Sequence, residues 1–220
     1  MKKKYKLKYK DKYEYENGFY LTCDTGRIGK FINHLEIYKK IILLPGDVVE
    51  FGVFKGASFV RLLSFRDLLE NSTSRKIYGF DAFGEFPKEV VLKSDRKFIE
   101  KFETVGGLGI DKNDLNLILD KKQFKNYELI EGNIINTLPE FLENNPAIKF
   151  SLVHIDVDVL EPTKLILELL WERMVKGGII MFDDYGLVEG ETKAVDNFLF
   201  DKNIEVRKIP YYKVPSFIIK

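Results

Sequence analysis

Gly46-Asp47-Val48-Val49-Glu50-Phe51-Gly52-Val53-Phe54-Lys55-Gly56-Ala57-Ser58 leaves a Pro45-Gly46 turn as a short apolar run and passes an acid into two glycines four residues apart. The run reads as a buried strand, because it is short, apolar and bounded by turn residues. Apolar positions then recur at helical spacing from Ala57 to Glu70, so the stretch is one strand, turn and helix unit. Gly52 and Gly56 permit a tight turn and a close approach of backbone to a ligand at the helix N-terminus. The spacing is Gly-x-x-x-Gly and lacks the full Gly-x-Gly-x-x-Gly of dinucleotide binders.

The alternation continues outward from this unit. Further strands are predicted at 76–81, 127–131, 150–156 and 178–182, and helices at 137–143, 162–173 and 191–200. A long polar stretch from Phe83 to Lys122 interrupts the series, with Gly106-Gly107-Leu108-Gly109 in the middle and helical pieces at 95–103 and 111–121; such an insertion is usually a lid facing the substrate. An amphipathic helix is predicted over 28–44. At the other end, 204–209 and 216–219 read as strands with no room between them for a crossover helix, so they must pair antiparallel. The expected fold is therefore α/β: a Rossmann-like, doubly wound, seven-stranded sheet, mostly parallel, with an antiparallel C-terminal hairpin strand. This is the pattern of class I methyltransferases. The length predicts a single domain over 1–220, in which 1–44 form an N-terminal arm and helix and 83–122 an insertion or lid.

Composition narrows the partner. Lys and Arg number 35 against 34 Asp and Glu, so no overall field draws the chain to nucleic acid or an anionic membrane, and a small-molecule partner is expected. The one local excess is Met1 to Lys12, read as a solvated basic terminus. Cys23 is the only cysteine, which excludes an internal disulfide and a multi-cysteine zinc site and fits a reducing, cytoplasmic compartment. No apolar stretch approaches the roughly 20 residues that span a bilayer.

In open α/β sheets ligands bind beyond the carboxyl ends of the strands, and here those ends are acidic. Asp81, after Ile77-Tyr78-Gly79-Phe80, is placed to accept both ribose hydroxyls of a nucleoside lying across the first two strands. Without a pyrophosphate fingerprint the nucleoside is assigned to S-adenosylmethionine. Glu50 is then expected to take the positively charged methionine end, and Asn133 the adenine edge. Beyond the fourth and fifth strands stand His154-Ile155-Asp156-Val157-Asp158 and Phe182-Asp183-Asp184-Tyr185. Strand residues two apart share a face, so Asp156 and Asp158 both project into the cleft if the extended chain continues. Four clustered carboxylates repel unless a hard divalent cation sits among them, and all-oxygen ligation favours Mg²⁺, or Mn²⁺, over zinc.

These residues resemble the macrocin (TylF-type) O-methyltransferases from about Pro45 to the C-terminus. The likeness is carried by Gly46 to Gly56, by Tyr78-Gly79-Phe80-Asp81-Ala82-Phe83, by Asn136-Thr137-Leu138-Pro139, by His154 to Asp158 with Glu161-Pro162-Thr163, and by Gly177 to Gly186. It implies an S-adenosylmethionine- and Mg²⁺-dependent transfer of a methyl group to a hydroxyl of a sugar or similar polyol, the acceptor being a small molecule, a nucleotide sugar or a glycan. It implies Mg²⁺ held by Asp156, Asp183 and Asp184, with Asp158 as general base. Glu50, Gly52, Gly56, Ser58, Asp81, Ala82, Asn133 and Asp156 form the expected cofactor set. The chain departs from the family pattern at Ala82 and at Gly84-Glu85-Phe86-Pro87, which leaves the adenine-side contacts open.

His154, on a buried strand, is expected to be a hydrogen-bonded support rather than a base, and His34 a structural residue. Tyr13, Tyr15, Phe19 and Tyr20 suit a cover over the cofactor, a homo-oligomer contact, or packing on the sheet edge. Two other readings stand beside the methyltransferase: a metal-dependent glycosyltransferase using Asp156-Val157-Asp158, and a non-enzymatic binding protein on the same fold.

Overall fold

The computed structural model describes residues 8–87 and 92–220. Lys2, Lys3, Lys4 and Lys6 of the basic terminus, and residues 88–91 of the insertion, lie outside them. Seven strands form one sheet in the order β3-β2-β1-β4-β5-β7-β6. They are β1 (Asp47–Phe51), β2 (Ile77–Asp81), β3 (Tyr127–Glu131), β4 (Phe150–Ile155), β5 (Met174–Phe182), β6 (Arg207–Lys208) and β7 (Ser216–Ile219). β1 to β5 are parallel to one another, while β7 runs antiparallel to both β5 and β6. The expected hairpin is present, but its first strand is cut to two exposed residues.

Neighbouring residues on the central strands point to opposite faces, and the core divides accordingly. Val48, Leu152, Ile179 and Phe217 join one buried apolar cluster, and Val49, Val153, Ile180 and Ile218 the other. The first cluster is covered by α2 (Thr25–Lys39), α3 (Ala57–Leu69) and α5 (Lys112–Lys121), the second by α6 (Ile134–Asn144), α7 (Leu160–Leu170) and α8 (Glu189–Leu199). A sheet buried on both faces requires near-continuous apolar strands, which is what β1 and β4 supply.

One helix was not expected. α1 (Lys12–Thr22) occupies part of the segment read as a terminal arm, yet buries none of its residues. α4 (Lys93–Gly106) and α5 make up the insertion. Asp95 of α4 is buried, and its Oδ2 accepts the first free N–H of α7, from Leu160, at 2.9 Å. Gly190 at the start of α8 makes room for it: a Cβ there would lie 2.5 Å from Asp95 Oδ1. The insertion is thereby fastened across the carboxyl end of the sheet.

Candidate active site

The strand ends converge because β1 and β4 pass one another at backbone distance. The Asp156 N–H donates to the Phe51 carbonyl at 2.9 Å, and a Cβ on Gly52 would stand 1.8 Å from the Asp156 carbonyl oxygen. Only glycine fits there, and its φ of +91° is one that other residues avoid. Asp81 fixes the other side of the turn. Its Oδ2 accepts the Phe54 N–H at 2.8 Å and its Oδ1 the Phe83 N–H at 2.6 Å. Both phenylalanines have φ of +50°, a left-handed conformation held by the carboxylate between them. A cavity of ≈ 700 Å³ opens above these turns. Phe54, Phe86, Phe98 and Phe102 form one side of it, with Phe102 stacked on Phe98 at 5.8 Å and 5.1 Å from Phe54.

Of the expected cofactor residues, Gly52, Ser58, Asp81, Ala82, Asn133 and Asp156 line this cavity. Gly56 instead begins α3 at φ +81°, where a Cβ would strike Leu115. Asn133 also caps α6, its Oδ1 accepting the Ile135 N–H at 3.1 Å. Glu50 does not reach the cavity wall. It is fully buried, and its Oε1 meets His154 Nδ1 at 2.8 Å. The sequence position of Glu50 is at the strand end, but its side chain belongs to the β1–β4 face beneath the cavity.

The four aspartates separate into two environments. Carboxylate oxygens of Asp156, Asp158 and Asp184 lie within 4.8 Å of one another. Asp183 turns away from them to an ion pair with Lys30, and its Oδ1 lies 3.5 Å from the Nε2 atoms of both His34 and His154. The expected trio Asp156, Asp183 and Asp184 is thus regrouped, because Lys30 of α2 claims one member. The charges follow this division. Burial, reinforced by Asp183, raises Asp156 well above the usual carboxylate range. Burial and Asp184 do the same to Asp158. Asp183 is held well below that range, because the two histidines and Lys30 outweigh its burial. His154 is raised to about 10, its acidic neighbours Asp183 and Glu50 outweighing burial, whereas burial pushes His34 down to about 4.

Glu191 of α8 is a site residue that strand-end reasoning does not reach. It is fully buried, its Oε1 accepts the Asp184 N–H at 2.8 Å, and its own N–H donates to the Asp158 carbonyl at 3.1 Å. The signal lies in the helix: Glu191, Ala194, Val195 and Phe198 sit at i, i+3, i+4 and i+7, so Glu191 shares the face turned to the sheet. Asp158 reaches its position through φ +64°, a conformation Asp tolerates better than most residues.

The oxygen set of Asp156, Asp158 and Asp184 suits a hard divalent cation: three carboxylates within reach of one ion, all of them driven towards protonation when no positive charge offsets their neighbours. The His34, His154 and Asp183 set fits one less well, since Lys30 already neutralises Asp183.

A parallel sheet with a reversed seventh strand, carrying a cavity over a glycine turn and an acid at the second strand end, defines the Rossmann-like methyltransferase class. Residues 28–212 match the family Macrocin-O-methyltransferase (TylF), and the chain belongs to it. It is 25% identical over 154 residues to 8-demethyl-8-(2,3-dimethoxy-α-L-rhamnosyl)-tetracenomycin-C 4′-O-methyltransferase of Streptomyces olivaceus, covering 66% of this chain and 54% of the relative. It is also 25% identical over 164 residues to demethyldecarbamoylnovobiocin O-methyltransferase of Streptomyces niveus, covering 70% and 58%. The chain spans a little over half the length of these relatives. Among solved structures, CalS11, a calicheamicin methyltransferase, superposes with a TM-score of 0.73 at 23% identity, over 94% of this chain and 85% of that one. The O-methyltransferase NovP gives 0.76 at 21%, over 88% and 80%. At such identities the superpositions speak for the fold.

Proposed function

We propose that the chain is an S-adenosylmethionine-dependent O-methyltransferase acting on a hydroxyl of a sugar or similar polyol, with a divalent cation, Mg²⁺ by its oxygen ligands, at the aspartate cluster. The observation that carries this reading is the meeting of Asp81, Asp156, Asp158 and Asp184 in one cavity on a chain of this family. Asp81 receives the ribose hydroxyls with the lone pairs left after its two backbone bonds. Asp156 and Asp184, common to the expected and the observed groupings, would hold the cation, and Asp183 would join them only by leaving Lys30. When bound, the cation lowers the pKa of the acceptor hydroxyl and orients it.

Asp158 takes the proton from that hydroxyl as its oxygen attacks the methyl carbon and the carbon–sulfur bond breaks. Sulfonium becomes thioether and hydroxyl becomes ether, with one proton left on the carboxylate. A cavity walled on one side by aromatic rings serves this step, because opposite charges are consumed and close alignment supplies much of the rate. Family membership removes the ground for the glycosyltransferase reading of Asp156-Val157-Asp158.

The deciding experiment is calorimetric binding of S-adenosylhomocysteine, with and without Mg²⁺, to wild type and to Asp81→Asn. Micromolar-order binding that weakens at least tenfold in the variant supports the nucleoside site. Absence of binding to the wild type would end the methyltransferase reading.

A further inference from the structure

We infer that Arg27 and Arg61 form an anion-binding corner of the cavity, built for a carboxylate or phosphate group of a bound ligand. The inference rests on the proposed function only for where that group comes from. Arg27, Lys30 and His34 stand at i, i+3 and i+7 on α2, forming one stripe that runs from exposed to buried along the cavity wall. The two inner members are turned to Asp183. The outer one, Arg27, has no acid: its guanidinium makes no hydrogen bond or ion pair among the described residues. Asp24, three residues earlier, instead accepts the Arg27 backbone N–H as the cap of α2.

Arg61 enters the same cavity from α3, its guanidinium carbon 5.9 Å from the centre of the Phe31 ring. Among the described residues it too has neither hydrogen bond nor ion pair. Three other half-buried or buried cations are engaged: Arg75 with Glu70 and Ser151, Arg66 with three backbone carbonyls, Lys30 with Asp183. Arg61 lies in the field of Arg27 and also of Asp183, Glu50 and Asp156, none of which it pairs with, and burial together with Arg27 outweighs the three acids and weakens the hold of Arg61 on its proton. Two planar five-donor forks directed into one cavity without an acceptor are the geometry that carboxylate and phosphate groups fill in bidentate fashion. Two sources offer that chemistry: the methionine carboxylate of the cofactor, and an anionic group on the acceptor.

The test compares full-length wild type with Arg27→Met, Arg61→Met and Arg61→Lys. Thermal unfolding first checks that each is folded, and the lysine variant preserves the charge should the methionine variant not be. Three probes are titrated by calorimetry: S-adenosylhomocysteine, 5′-methylthioadenosine, which shares the nucleoside but has no carboxylate, and inorganic phosphate. The expected result is a loss of roughly tenfold or more in affinity for S-adenosylhomocysteine in both methionine variants, with 5′-methylthioadenosine unchanged, which assigns the corner to the cofactor. Unchanged binding of both nucleosides with loss of phosphate binding assigns it to an acceptor anion. Equal weakening of both nucleosides, or no change with any probe, overturns the inference. If the wild type binds neither nucleoside, the proposed function has failed, and phosphate alone then decides whether the corner binds anions.

Discussion

Glu191 Oε1 accepts the Asp184 N–H at 2.8 Å while the Glu191 N–H donates to the Asp158 carbonyl at 3.1 Å, so one buried helical residue ties together the ends of β4 and β5. Replacing it with Ala strands the Asp184 N–H, which costs about 1–3 kcal/mol, or roughly 2–4 °C in Tm per kcal/mol for a chain of this size. Gln keeps the acceptor and removes a carboxylate that burial and Asp184 already push towards protonation. Differential scanning calorimetry should find Glu191→Ala destabilised and Glu191→Gln close to wild type; an unchanged Tm for Ala would show that the bond does not hold the loop.

Gly52→Ala brings a side chain into the backbone of Asp156 at a φ of +91°. Strain of this kind costs on the order of 1–3 kcal/mol before the steric clash is counted, and relief requires β1 and β4 to part at the cavity floor. The variant is expected to melt at lower temperature and to lose S-adenosylhomocysteine binding together. Normal binding in a folded variant would refute the account of the close approach.

Asp158→Asn keeps the size of the side chain and removes its basicity. Under the proposed mechanism kcat falls by roughly 10²–10⁴-fold while S-adenosylhomocysteine binds as before. Rapid-quench methyl transfer with an accepted sugar reads the first quantity and calorimetry the second. Retention of full kcat would exclude Asp158 as the proton acceptor.

His34 gives the fold an acid-sensitive limb. Its pKa is pushed down to about 4 from 6.5 by burial, so the unfolded chain takes up the proton first as pH falls. The stability supplied by the neutral ring is complete above 6.5 and declines between 6.5 and about 4. Urea unfolding across this range should show that slope in wild type and a flatter one in His34→Gln. An identical slope in both would assign the acid limb to other groups.

The sequence made the sheet legible because its strands are buried on both faces and read as short apolar runs. Asp81, Asp156 and Asp184 line the cavity as the same logic expects, since a residue at a strand end has one cavity to face. Helical residues were harder. Lys30, Arg27 and Arg61 become site residues through the rotation of α2 and α3 against the sheet, and that rotation depends on packing rather than on any local signal. Lys30 then changes the expected grouping by drawing Asp183 out of the carboxylate cluster. Glu50 shows the converse limit of the strand-end rule: it stands one residue before the end of β1, yet its side chain projects to the buried face and pairs with His154. Asp95 was read only as part of a polar insertion, because its partner, Leu160, lies 65 residues away.

That last contact joins the insertion mechanically to the loop that follows β4. The Leu160 amide is two residues beyond Asp158, and the carboxylate that occupies it arrives on α4, which also carries Phe98 and Phe102 of the cavity wall. Lifting α4 away from the cavity exposes that amide to water in the same movement. If α4 moves as a lid, the exchange rate of a single proton, on Leu160, counts its openings, and a ligand that holds α4 down will slow that proton before any product is formed.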